Sequence, residues 1–214
     1  MKYAEYIDYT NLKANATTDD IKKICDDAIK YHFASVCVNP CYVSLAKELL
    51  NGTPVNVCTV VGFPLGANTI RTKEMEALIA VEDGADEIDM VINIGAIKNG
   101  DYEYVRNEIE EVRDSIGGHV LKVIIETCYL TNEEIGKMTE ICNDTFVNFI
   151  KTSTGYGTRG VNLEDIDIIN NHKNDILEIK ASGGIRSIDM VESLIQNGVT
   201  RIGVSNIDFL RGDK

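Results

Sequence analysis

One pattern governs what this chain can become: a short apolar run, a loop, an amphipathic stretch closed by Gly or Asn, and then the same again. Runs at 6–10, 35–38, 56–61, 87–93, 120–125, 146–151, 176–180 and 200–204 read as strands. Thr17 or Thr18 caps a helix whose Ile21, Ile24, Cys25, Ala28 and Ile29 share one face, and Thr131-Asn-Glu-Glu134 has the form of a capping box. Further helices are expected around 69–82, ending near Gly84, and around 101–116, stopped by Gly117-Gly118. Strands that alternate with helices pair in parallel, and this number of them predicts a (β/α)8 barrel of the TIM type. An open doubly wound sheet is the alternative, but no GxGxxG element follows the first strand. No linker or low-complexity tract divides the 214 residues, so 1–214 read as a single domain with a short N-terminal extension.

A net charge of −13 makes nucleic acid and anionic membranes poor partners. An anionic substrate would need a local cluster of cations or backbone N–H groups. The amino-terminal Met1-Lys-Tyr-Ala-Glu-Tyr-Ile-Asp8 lacks the apolar core of a signal peptide, and no apolar stretch reaches membrane-spanning length, so a cytoplasmic location is expected. Cys25, Cys37, Cys41, Cys58, Cys128 and Cys142 form no CxxC pair and read as reduced, several of them as small core residues. His32, His119 and His172 lie far apart, and no metal site is expected from ligand spacing.

Chemistry is concentrated in two lysines at matching points of successive strands. Lys151 closes Phe146-Val-Asn-Phe-Ile-Lys151 and Lys180 closes Ile176-Leu-Glu-Ile-Lys180, each opening into a loop of small residues. On neighbouring parallel strands both ammonium groups reach one cleft, where repulsion favours a neutral amine at one of them, as a Schiff-base nucleophile requires. A lone lysine at a strand end ordinarily snorkels to water; the repetition argues otherwise. Strand parity adds two residues. Ile88, Met90 and Ile92 oppose Asp89, and Val123 and Ile125 oppose Lys122, so if the apolar faces meet the helices, Asp89, Lys122, Lys151 and Lys180 point into the barrel. A buried Asp89–Lys122 network of purely structural purpose is the competing explanation.

Phosphate recognition is the second expectation. Barrels bind phosphate with the loops after strands seven and eight and a short helix N-terminus. Here those loops are Ala181-Ser-Gly-Gly-Ile185, followed by Ser187 as a helix cap, and Gly203-Val-Ser-Asn206. Gly183, Gly184 and Ser205 are the residues expected to approach an anion.

Over essentially its whole length the sequence resembles the deoxyribose-phosphate aldolases. The motifs are Ile7-Asp-Tyr-Thr10, Val60-Val-Gly-Phe-Pro-Leu-Gly66, Glu87-Ile-Asp-Met-Val-Ile-Asn-Ile-Gly95, Leu121-Lys-Val-Ile-Ile-Glu-Thr127, Phe149-Ile-Lys-Thr-Ser-Thr-Gly155 and Lys180-Ala-Ser-Gly-Gly-Ile-Arg186. The resemblance implies a TIM barrel that reversibly cleaves 2-deoxy-D-ribose 5-phosphate to D-glyceraldehyde 3-phosphate and acetaldehyde. It also implies no metal, no organic cofactor, and a homodimer or larger assembly. By the same resemblance Lys151 is the Schiff-base nucleophile and Lys180 the neighbouring cation that tunes it. Asp89 takes part in proton transfer, Lys122 supports Asp89, and Gly155 joins Gly183, Gly184 and Ser205 around the phosphate. The chain departs from the family at Tyr9, at Tyr156-Gly157-Thr158-Arg159-Gly160, at Asn206, and at its Asp213-Lys214 end, where some members carry a tyrosine. Other Schiff-base barrel enzymes, transaldolase-like or acting on keto acids, and a non-catalytic sugar-phosphate binder are the competing functions.

Overall fold

In the computed structural model, which describes residues 1–211, eight parallel strands close into a barrel in sequence order. The strands are β1 (Ile7–Asn11), β2 (Ser35–Val38), β3 (Asn56–Val61), β4 (Glu87–Val91), β5 (Val120–Ile124), β6 (Phe149–Lys151), β7 (Glu178–Ser182) and β8 (Arg201–Val204). The helices between them are α1 (Thr18–Tyr31), α2 (Val43–Leu49), α3 (Ile70–Glu82), α4 (Ile94–Lys98), α5 (Tyr102–Ser115), α6 (Asn132–Asp144), α7 (Leu163–His172) and α8 (Ile188–Gln196). After β8 the described residues hold a 3-10 turn, Asp208–Leu210, and the Asp213-Lys214 end lies outside them. No helix among the described residues is long and apolar enough to cross a membrane.

Local chemistry accounts for the element boundaries. Thr17 and Thr131 each cap a helix through a reciprocal capping box, with Asp20 and Glu134 as the returning side chains. Ser187 accepts from the N–H of Met190 at the start of α8. The sixth strand begins at Phe149 rather than at Phe146, which takes a left-handed conformation (φ 53°) and stands 81% exposed in the turn before the strand. The seventh likewise starts two residues later than the apolar run suggested, because Ile176 is exposed and Leu177 alone turns inward.

Alternation divides each strand between two environments. Ile7, Val36, Val57, Ile88, Met90, Val123, Ile150, Ile179 and Ile202 pack with the helices in the main core. The opposite parity fills the barrel with Cys37, Cys58, Asp89, Lys122, Lys151 and Lys180, the third residues of their strands. Below them, the first residues of β2, β3, β4, β6 and β8 form a floor. There Arg201 donates to Glu87 (2.8 Å) and Ser35 (3.1 Å) and lies over the Phe149 ring, while Asn56 donates to Glu87 at 3.0 Å.

A second buried ion pair sits outside the barrel wall. Lys73 on α3 donates to Glu108 on α5 (2.5 Å) and to the Val91 carbonyl (2.7 Å), and Glu108 accepts from the Asn93 N–H at 2.9 Å. Both side chains are fully buried. The pair therefore fastens the end of β4, just beyond Asp89, to two helices. Lys73→Met leaves the Glu108 carboxylate buried without its cation, and the expected loss in urea unfolding free energy is roughly 3–5 kcal/mol. A loss below about 1 kcal/mol, the scale of an exposed pair, would show that the contact does not hold this end of the strand.

Candidate active site

Register brings the inward charges together in pairs: Asp89 lies beside Lys122 across β4 and β5, and Lys151 beside Lys180 across β6 and β7. Barrel curvature then points all of them at one carboxylate. Asp89 accepts from Lys122 at Oδ1 (2.8 Å) and from both Lys151 (2.7 Å) and Lys180 (2.6 Å) at Oδ2. Lys122 also meets Glu87 at 2.6 Å, and Lys180 also donates to Asp8 on β1. Of the ammonium-bearing side chains on Asp89, those of Lys122 and Lys180 are fully enclosed, whereas Lys151 keeps 4% of its surface accessible at the end of its strand.

The electrostatics follow from this enclosure. Burial by itself would raise the pKa of Asp89, but the charges of Lys122, Lys151 and Lys180 outweigh it and hold the carboxyl well below its ordinary range. Burial would lower Lys180, yet Asp8 and Asp89 reverse the sign and keep it protonated above the usual lysine value. Lys122 is likewise raised despite burial, chiefly by Asp89. Cys58 donates to Asp89 at 3.2 Å, and burial, its contact with Cys37 and the Asp89 charge push its thiol well up, so it is a neutral donor.

Asp8, Cys37, Cys58 and Asp89 also bring potential metal-ligand atoms within 4.8 Å of one another, a grouping that no spacing along the chain announced. A dication there would face the ammonium groups of Lys122, Lys151 and Lys180, which already occupy both Asp89 oxygens. The donor set fits proton sharing better than metal binding.

Loops at the C-terminal ends of the strands complete the site. Thr152, Ser153 and Thr154 follow Lys151 and are buried. Ser182 donates to the Ser153 carbonyl (2.6 Å), and Thr154 bonds the Glu126 carboxylate through both its N–H (3.2 Å) and its hydroxyl. Arg159 forks onto Asp165 at 2.6 and 3.0 Å, and Thr127 donates to the same carboxylate at 2.7 Å. Farther along, Gly160 packs backbone to backbone on Gly183, where a Cβ would overlap the Gly183 carbonyl. A cleft of about 350 Å³ opens beside these loops, lined in part by Leu65, Ile94, Tyr129 and Tyr156.

Comparison with known proteins bears on this geometry directly. The family described as DeoC/LacD family aldolase matches residues 3–205. The chain belongs to the DeoC/LacD aldolases. Among its relatives, the deoxyribose-phosphate aldolase of Finegoldia magna is 55% identical over 206 residues, covering 96% of this chain and 97% of that one. That of Caldanaerobacter subterraneus subsp. tengcongensis is 52% identical and covers 96% and 90% respectively. The deoxyribose-phosphate aldolase structure from Aeropyrum pernix, described as a unique tetramer, superimposes with a TM-score of 0.88 at 28% identity, covering 98% of this chain and 89% of that one.

In this DeoC/LacD aldolase the residues expected from parity, Asp89, Lys122, Lys151 and Lys180, do converge. The lysines do not meet as a bare pair of charges, because Asp89 bridges them and Asp8 takes part of Lys180. Asp8 joins them without being among the expected residues, although Ile7 and Tyr9 beside it pack outward and the same alternation places it inside. Among the expected anion contacts, Gly155 and Gly183 lie together, with a Cβ on Gly183 falling 3.8 Å from Gly155 Cα, while Gly184 faces open space. All three have positive φ, which glycine alone adopts without strain. Ser205 is exposed just past the neighbouring β8.

Acid stability checks the floor of the site. Burial would raise the Glu87 pKa, but Lys122 and Arg201 lower it from 4.5 to about 2. A depressed carboxyl stabilises the fold above its unfolded value, so this contribution, of order 3 kcal/mol, is complete above about pH 4.5 and disappears as the pH falls toward 2. Glu87→Gln should lower stability at pH 7 and flatten the decline between those limits in urea titrations. An unchanged slope would mean that Glu87 does not carry this linkage.

Proposed function

We propose that the chain is a class I aldolase of 2-deoxy-D-ribose 5-phosphate, with Lys151 as the imine-forming amine. The observation that carries this reading is the convergence of Lys122, Lys151 and Lys180 on Asp89 with Lys151 alone reaching solvent. A nucleophile must meet its carbonyl, and the enclosed lysines cannot. Relatives named deoxyribose-phosphate aldolase, at 52–55% identity over nearly the whole chain, support the substrate.

On this reading the Lys151 amine adds to C1 of the open-chain sugar and loses water to give a protonated imine. The C3 hydroxyl gives up its proton, the C2–C3 bond breaks, and its electron pair flows into the imine as an enamine. D-glyceraldehyde 3-phosphate leaves; protonation at C2 and hydrolysis release acetaldehyde and restore the amine. Asp89, linked to Lys151 and Lys180 at one oxygen, is placed to pass protons, and Lys122 holds its other oxygen. Gly155, Gly183, Gly184 and Ser205 receive the phosphate, beside the Ser187-capped start of α8. The reaction needs neither metal nor organic cofactor. One aldolase domain over 1–214, working in the cytoplasm as a homodimer or larger homo-oligomer, completes the proposal; the tetramer described for the Aeropyrum pernix relative supports the last part.

Borohydride reduction with acetaldehyde, followed by peptide mapping, tests it. Reduction should place an ethyl group on Lys151, and Lys151→Leu should abolish labelling. Lys180→Leu should still label Lys151, but slowly. Without Lys180, the Asp89 oxygen that it shares with Lys151 is left to Lys151 alone, and the carboxylate holds that amine more tightly away from the carbonyl. Label on Lys180 in the unmodified protein would overturn the assignment.

Asp89→Asn keeps the volume and removes the basic oxygen, and turnover of the sugar phosphate should fall by roughly a hundredfold or more. Near-normal turnover in a folded variant would take Asp89 out of the proton path.

A further inference from the structure

Tyr156 does something at the mouth of the barrel that the chemistry above does not use. Its loop leaves β6, whose hydrogen-bonded neighbours are β5 and β7. Yet its hydroxyl donates to the Leu12 carbonyl just past β1 (2.8 Å), and its ring meets Phe63 past β3 edge to face, with centroids 5.4 Å apart. Leu12 and Phe63 belong to the small apolar group inside the barrel with Cys37, Cys58 and Val60. The side chain therefore crosses from one side of the mouth to the other. It does so while 57% exposed, so burial of its own surface does not explain the crossing.

The attachment at its base is firm. Gly155 (φ 88°) makes the turn, the Tyr156 N–H donates to Thr154 at 3.0 Å, and Thr154 is held by Glu126. Gly157 follows with no room for a side chain, since a Cβ would stand 2.6 Å from the Cys128 sulfur. One side of Tyr156 lines the 350 Å³ cleft, whose other walls include Pro64, Leu65, Ile94 and Tyr129. The lining is mostly apolar, with Glu126 and Thr154 as polar members, and the cleft lies among the loops after β3 to β6.

We propose that Tyr156 is a specificity-determining crossbar, which separates this apolar cleft from Lys151 and restricts the site to short, polar aldehydes. The class of substrate it excludes is the aldehyde with an alkyl or aryl tail, for which the cleft has suitable walls. The inference rests on Lys151 as the imine-forming amine.

The test compares borohydride trapping of acetaldehyde and of 3-phenylpropanal on Lys151 in the unmodified protein, Tyr156→Ala and Tyr156→Phe. Removing the ring should raise the rate with 3-phenylpropanal relative to acetaldehyde by about tenfold or more, the scale on which an apolar pocket discriminates. Tyr156→Phe keeps the ring but frees it from Leu12, and the same ratio should rise by about threefold, as for loss of one neutral hydrogen bond. A ratio unchanged in either folded variant overturns the crossbar. Acetaldehyde trapped elsewhere than on Lys151 would instead overturn the site assignment and the crossbar with it, a result separable because it appears in the unmodified protein.

Discussion

Asp89 is the constraint around which the barrel interior is arranged. Barrels of this type usually fill their centre with branched apolar side chains. Here Lys122 and Lys180 are among the largest fully buried side chains, and an unpaired charge in such a place would be prohibitively costly. Asp89 makes their burial tolerable by accepting from Lys122, Lys151 and Lys180 together, with Asp8 and Glu87 sharing the excess positive charge. Because the participants come from five strands, β1 and β4 to β7, the ionic cluster also depends on correct closure. A one-residue slip of any strand would turn its charge out toward the helices.

The loops above that interior borrow rigidity from their neighbours. Glu126 adopts a left-handed backbone (φ 51°), an uncommon state for a side-chain-bearing residue, and is buried against Thr154. Arg159 and Asp165 hold the same loop farther along, with Thr127 joining them from the connection after β5. The loop that follows Lys151 is thus fastened at both ends to the connection after β5. This suits the role proposed for Lys151, whose position would have to be reproduced at each turnover.

Much of this was legible in the chain because strand alternation is a strong local rule. It separates Asp89 from Ile88 and Met90, Lys122 from Val123, and Asp8 from Ile7 and Tyr9. It could not show that Cys37 and Cys58 would be register partners beside Asp89, since that depends on which strands adjoin. Nor could it show that Tyr156 would reach Leu12 across 144 positions of sequence. Strand ends were the weaker part. Phe146 and Ile176 continue apolar runs, but they lie in the turns before β6 and β7, where hydrophobicity carries no information about backbone direction. The pair outside the barrel wall is illegible for a further reason: Lys73 and Glu108 sit on helices among other charged residues, and only their packing distinguishes them.

The contact between Gly160 and Gly183 has a consequence for selection among sugars. Backbone touches backbone there, so the segment that follows Lys151 and the segment that would hold the phosphate cannot slide past one another without breaking the fold. Together they act as a ruler. The span between nitrogen and anion is set by peptide geometry, which yields far less than side chains do. On the proposed site, a sugar phosphate one carbon shorter or longer can satisfy one end of this ruler but not both. Chain length would then be measured by the scaffold itself, before any hydroxyl group is read.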